Sequence, residues 1–173
     1  MAYHYTFIQW LLFFFIYCFL GWVWESCYVS AKNREWINRG FLHGPMLPIY
    51  GSGAIIVLLC TIGVRDQIVL TFLFGMIGAT ILEYVTGACM ERLFRVRYWD
   101  YSHMPLNLKG YICLPVSLGW GVFSVLLVRV IHVPIENAVL QIPERIAEAV
   151  TVLCSSAFAV DFTLSFSEAM DLR

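Results

Sequence analysis

The sequence predicts an all-α, polytopic helical membrane bundle of about five spans, and three observations predict it. Of 173 residues, 60% are hydrophobic and only 13% are charged, whereas a soluble domain of this length carries about 25% charged residues. Mean hydropathy is +0.75. Long apolar windows fall at about Phe7–Cys27, Pro45–Ile62, Ile68–Ala88, Tyr111–Ile131 and Ala147–Ser167. Each approaches the ~20 residues a helix needs to cross ~30 Å of hydrocarbon. The polar stretches between them are short, so residues 1–173 read as a single membrane domain. A helix satisfies its own backbone groups, which lipid demands.

Taken in order, the first window has no Lys or Arg before it and no A-x-A site after it. It is expected to remain as a span rather than act as a cleaved leader. The second opens with Gly40, Gly44, Pro45 and Pro48, and the fourth with Gly110 and Pro115. Proline suits a helix's first turn, and unpaired N–H groups at helix starts favour anions. The third carries Gly75, Gly78, Ala79 and Gly87, and the fourth Gly119 and Gly121, small residues that let helix backbones approach. Val133–Glu144, with two prolines and two acids, reads as an external connection into the fifth window.

Orientation follows from the cations. Lys32, Arg34, Arg39, Arg92, Arg95, Arg97, Lys109 and Arg173 fall on one face, against Arg65, Arg129 and Arg145 on the other. The positive-inside rule puts the amino terminus of this cell-membrane protein outside and its carboxyl terminus in the cytoplasm.

An internal repeat is also legible. RGFLHGPMLPIYG, from Arg39 to Gly51, recurs without a gap as KGYICLPVSLGWG, from Lys109 to Gly121. Each copy follows a carboxylate in an apolar run (Glu25, Glu83) and a Trp in the intervening loop (Trp36, Trp99). This suggests a parallel duplication of a two-helix unit, about 7–63 and about 68–132, plus an extra span at about 147–167.

Three acids lie late in outside-to-inside windows: Glu25, Glu83 and Asp161. A carboxylate in hydrocarbon costs about 2.5–3.5 kcal/mol on insertion scales, so each should face the bundle interior, water or a cation. Arg39 and Lys109 stand at the same membrane level. They suggest either a site for a phosphate, a carboxylate or a lipid headgroup, or ion pairs, one cation to each Glu, that only hold the repeats together. The loop ERLFRVRYWDYSHMPLNLKG, from Glu91 to Gly110, adds Tyr98, Trp99 and Tyr101, rings suited to the interface. Asp100, Ser102, His103 and Asn107 add polar groups for a cytoplasmic mouth.

Six cysteines are scattered with no C-x-x-C pair and read as packing residues. A His43, Cys89 and Cys113 ligand set is the only metal arrangement worth weighing, and no metal or cofactor is expected. There is no G-x-x-x-x-G-K-[ST], H-E-x-x-H or G-x-S-x-G. The chain carries no ATPase, metalloprotease or serine hydrolase motif, and the reading leans away from an enzyme.

LGWVWE (Leu20–Glu25), NRGFLHGPMLPIYG (Asn38–Gly51), LEYVTGACME (Leu82–Glu91) and WDYSHMPLNLKG (Trp99–Gly110) resemble the bacterial family described as Putative ABC-transporter type IV, or CmpB-like, membrane proteins. The family's polar motif positions fall on Glu25, Asn38, Arg39, Glu83, Glu91, Asp100 and Asn107. With Lys109 and Asp161 these make the candidate binding cluster. The resemblance implies a permease-like transport subunit that borrows an ATPase from another chain. The alternatives are a membrane-embedded lipid headgroup binder or enzyme, and an accessory assembly protein without transport activity. Expected partners are the lipid bilayer, a separate ATPase subunit, further copies of the chain as a homo-oligomer, and an anionic lipid or small anion. Nothing points to nucleic acid.

Overall fold

The structure, a computed structural model, describes residues 4–171. Arg173, counted above among the topogenic cations, lies outside them. The chain is all-α: α1 (Phe7–Asn33), α2 (Pro48–Thr61) with a 3-10 turn at Ile62–Val64, α3 (Ile68–Phe94), α4 (Leu114–Leu126), a π segment (Leu127–Ile131), α5 (His132–Leu140) and α6 (Glu144–Asp171). A two-residue hairpin, β1 (Asn107–Leu108) and β2 (Ile112–Cys113), is paired antiparallel before α4. Four helices are long and apolar enough to cross a membrane: Phe7–Asn33, Ile68–Phe94, the continuous Leu114–Leu140, and Glu144–Asp171. Pro48–Val64 is a shorter apolar helix.

The helix boundaries follow local chemistry. Thr6 caps α1 in a reciprocal box: Gln9 N donates to its hydroxyl at 3.3 Å and Thr6 N to the Gln9 amide oxygen at 2.8 Å. α1 and α3 both end in an arginine with left-handed backbone, Arg34 (φ 58, ψ 28) and Arg95 (φ 56, ψ 23). α2 starts at Pro48, later than the Pro45 expected, because the stretch before it is spent on turns. Met46 N bonds Gly44 O at 2.8 Å, and Leu47 N reaches Cys18 O of α1 at 3.0 Å.

The expected connection at Val133–Glu144 is mostly helix. α5 continues to Leu140, and only residues 141–143 link it to α6. Pro134 falls in the first turn of the helix that resumes after the π segment, where a missing N–H is tolerated.

The described residues form two compact units: one takes in Ile56–Ile135, the other His4–Ile55 and residues 136–171. In the first, α3 packs along α4. Thr61, Thr71 and Ser124 are fully buried there, and each hydroxyl donates to a carbonyl (of Val57, Val64 and Trp120) at 2.6 Å, 3.2 Å and 2.7 Å. These three small polar residues thus pack between helices with their hydroxyls satisfied, whereas the buried Thr80 hydroxyl of α3 has no partner among the described residues. A Cβ on Gly121 would stand 2.6 Å from the Phe72 ring, so only glycine allows this approach.

In the second unit α1 packs on α6, and Phe13 and Cys18 of α1 are fully buried. Gly51 meets Cys18 and Phe14 with the same intimacy; a Cβ would stand 2.8 Å from Phe14 Cδ2. Phe158, Phe162 and Phe166 stack successively along α6, and Phe14 and Phe15 meet Phe158 edge-on.

Candidate functional site

The nine candidate residues fall into two sets, one in each unit. In the α1–α6 unit, Glu25 pairs with Arg39 at 3.2 Å, and the Tyr50 phenol hydrogen-bonds the same carboxylate. Asn38 braces the loop: its oxygen accepts from Trp22 Nε1 at 2.6 Å and its amide donates to His43 O at 2.7 Å.

That bracing aims two backbone N–H groups at α6. His43 N and Gly44 N donate to the two oxygens of Asp161 at 3.0 Å and 2.8 Å. Gly44 is required there, since a Cβ would lie 2.8 Å from Asp161 Oδ2. The His43 ring then bridges two acids, with Nδ1 3.2 Å from Asp161 and Nε2 3.0 Å from Glu168. Asp161, and then Glu168, hold the imidazole pKa above the ordinary range.

Ser165 Oγ lies 2.9 Å from His43 Nδ1 and 3.3 Å from Asp161. A nucleophile relay needs serine and carboxylate on opposite ring nitrogens. Here both sit at Nδ1 and Ser165 is buried, so the trio is a latch between loop and helix.

In the α3–α4 unit, Glu83 is buried and accepts from the Tyr101 hydroxyl and from Trp120 Nε1, each at 3.1 Å. Both partners are neutral donors. Lys109, the sequence's candidate cation for Glu83, is exposed at the hairpin turn with positive φ (55). The expected second ion pair does not form, because the hairpin turns Lys109 outward while Tyr101 fills its place.

Glu91 and Asp100 serve the loop instead. Arg97 takes Glu91 with two N–H groups, each at 3.1 Å, and Asp100 at 3.1 Å, and lies 5.1 Å from the Tyr111 ring centroid. The Ser102 amide and then Arg97 hold the Asp100 carboxyl below its ordinary range. Asn107 closes the turn through Ser102 O, Met104 O and Gly110 N at 3.1, 2.9 and 3.2 Å. Trp99 donates to Tyr111 O at 2.9 Å. Three of the nine residues therefore shape a rigid loop and do not line an open site.

Sequence reasoning missed Ser165 and Glu168, although both lie four and seven residues past Asp161, on the same helix face. It also passed over Glu136, which is buried and bonded to the Tyr5 hydroxyl. Burial and Glu136 push the Tyr5 phenol pKa upward. No local signal marks that pair, whose members are 131 positions apart. Among the described residues no group of three or more His, Cys, Asp or Glu side chains is arranged to hold a metal ion.

No curated protein and no solved structure matches the chain. The sequence model of the family described as Putative ABC-transporter type IV does match, over residues 12–166. With its apolar helices and a match over most of its length, this membrane protein belongs to that family.

Proposed function

We propose that the chain is a permease-like subunit of a transport system. It crosses the membrane five times, with the amino terminus outside and the loops at 34–47 and 95–113 in the cytoplasm. We infer also that α1–α2 and α3–α4 are copies of one duplicated unit.

One observation carries the duplication: the two units repeat the same pair of contacts. Phe14 and Phe72 each precede their glutamate by eleven residues (25 − 14 and 83 − 72), and each packs against the glycine that closes its copy of the motif, Gly51 or Gly121. The ring before that glycine, Tyr50 or Trp120, hydrogen-bonds the glutamate of its own copy. Parallel repeats of this kind recur in transporters, with polar sites near interrupted helices.

Glu83 is the proposed working residue. Its charge is met by a phenol and an indole and by no cation among the described residues. Such a group can take up a proton or a cationic solute, which a neutralised carboxylate cannot. The loop at 95–113, stiffened by Arg97, Trp99 and Asn107, is the proposed surface for an ATPase subunit.

Two experiments test this. Gentle purification from native membranes, with mass spectrometry of proteins and lipids, should recover an ATPase in stoichiometric amount. Recovery of the protein alone with one enriched anionic lipid would overturn the transport reading. Glu83→Gln should abolish transport while membrane yield and the detergent melting curve stay unchanged; lost assembly instead would make the residue structural.

A further inference from the structure

α6 buries only a narrow strip, including Ala147, Thr151 and Ser165, and turns the rest of its surface outward. Beside that strip runs an open groove of about 510 Å³, walled by Leu153, Ala157, Val160 and Leu164. These residues lie at helical spacings of four, three and four, one stripe on α6 about 16 Å long. Ala157, small between larger aliphatics, makes the dent.

Its polar lining is Ser156 beside Ala157 and, toward the Leu164 end, His43 and Asp161. There a single imidazole lies between two carboxylates, Asp161 and Glu168. With the ring protonated, two negative charges still outnumber one positive. Asp161 is already bound to two backbone amides, whereas Glu168 is two-thirds exposed, its side chain 66% accessible. Both His43 ring nitrogens are occupied, so this end offers acceptors to an incoming group and no donors.

We propose that the groove is a lipid site, seating one acyl chain along Leu153–Leu164 while a primary ammonium headgroup meets Glu168 and the edge of Asp161. The surroundings name the occupant: the groove opens on the outer face of a helix long and apolar enough to cross a membrane. Charge complementarity names the headgroup. A phosphate-only headgroup is repelled by the surplus negative charge. A choline headgroup brings positive charge but no N–H, whereas a primary ammonium brings three donors. The inference stands apart from the transport reading, since it concerns only α6 and the latch at His43.

The test uses the purified full-length chain in detergent, titrated with phosphatidylethanolamine, phosphatidylcholine and phosphatidylglycerol of identical acyl chains. Native mass spectrometry reads retention and a melting curve reads stabilisation. Phosphatidylethanolamine should be retained best. Glu168→Gln should weaken that preference about threefold, the scale of a partly exposed charge pair. Ala157→Phe should fill the groove and remove retention of every lipid tested. Glu168 is two-thirds exposed while Asp161 holds two backbone amides, so Glu168→Gln disturbs folding less than Asp161→Asn.

Equal retention of ethanolamine and choline lipids would overturn the headgroup assignment, and preference for phosphatidylglycerol would reverse it. If no lipid is retained while Ala157→Phe breaks a dimer, the groove belongs to a second copy and the proposal fails.

Discussion

Glu25 and Glu83 are held by the same first partner and a different second one. Each is bonded by the ring that precedes a motif glycine. Glu25 then meets Arg39, whose side chain is 44% accessible, at the edge of its unit. Glu83 meets only Tyr101 and stays buried. Under the proposed duplication one copy has kept its cation and the other has replaced it with a phenol. A neutralised, half-wet carboxylate is a fastening. A buried one between neutral donors has no cation to offset the cost of ionising in a low-dielectric site, a cost seldom kept without a use.

The contrast breaks most directly through stability. Glu83→Leu would take the acceptor from Trp120 Nε1 and one partner from the Tyr101 hydroxyl, a loss of about 2–3 kcal/mol at roughly 1–3 kcal/mol for a donor left unpaired. Glu25→Leu should cost less, roughly 1–2 kcal/mol, since Arg39 can turn to solvent and only Tyr50 is stranded. Melting curves of both variants in one detergent decide the matter. Equal losses would erase the distinction between the copies.

The likeness between the copies is tested next. Gly51→Ala drives a methyl into Cys18 Sγ and Phe14, and Gly121→Ala drives one into the Phe72 ring; overpacking of this sort costs about 1–3 kcal/mol. Both losses should fall in that range. A large loss at one and none at the other would mean the matched spacing is coincidence.

The two loops should also loosen at opposite ends of the pH scale. The folded pKa of His43 is raised by Asp161 and Glu168. Its contribution is therefore complete below about 6.5 and is lost as pH rises through the higher folded value. Asp100 is lowered from 3.8 by the Ser102 amide and Arg97, so its contribution is present above 3.8 and is lost as pH falls through the lower value. Hydrogen exchange, corrected for its intrinsic pH dependence, should lose protection at residues 38–44 in mild alkali and at 97–102 only in acid. The same pH response in both loops would refute the assignment.

The smallest expected effect is a gain. Leu106 holds a left-handed backbone (φ 52) while fully on the surface. Leu106→Gly should raise stability by up to about 1 kcal/mol by relieving that conformation. A loss would mean the leucine side chain is already engaged.

The helices were legible because membrane spans are written in long apolar runs, and all five windows contain one. The acids were legible as acids in apolar surroundings. Their partners were not: Asp161 is gripped by backbone amides, which every residue but proline carries and no pattern advertises. Lys109 drew attention by its alignment with Arg39, yet a twelve-residue longer loop in the second copy (121 − 83 against 51 − 25) builds a hairpin that points it away. The continuation of α4 into α5 was hidden by Pro134 and two acids, which read as loop until a π segment and a buried Glu136 account for them.

Because the group that grips Glu83 is an indole, the chain carries its own optical reporter. Trp120 is one of six tryptophans, and its N–H points at a carboxylate whose charge the proposed cycle must change. A variant retaining Trp120 alone would change emission wavelength whenever Glu83 gains a proton or a cation. The state of a transport residue could then be followed in sealed vesicles by fluorescence, before any solute has been identified.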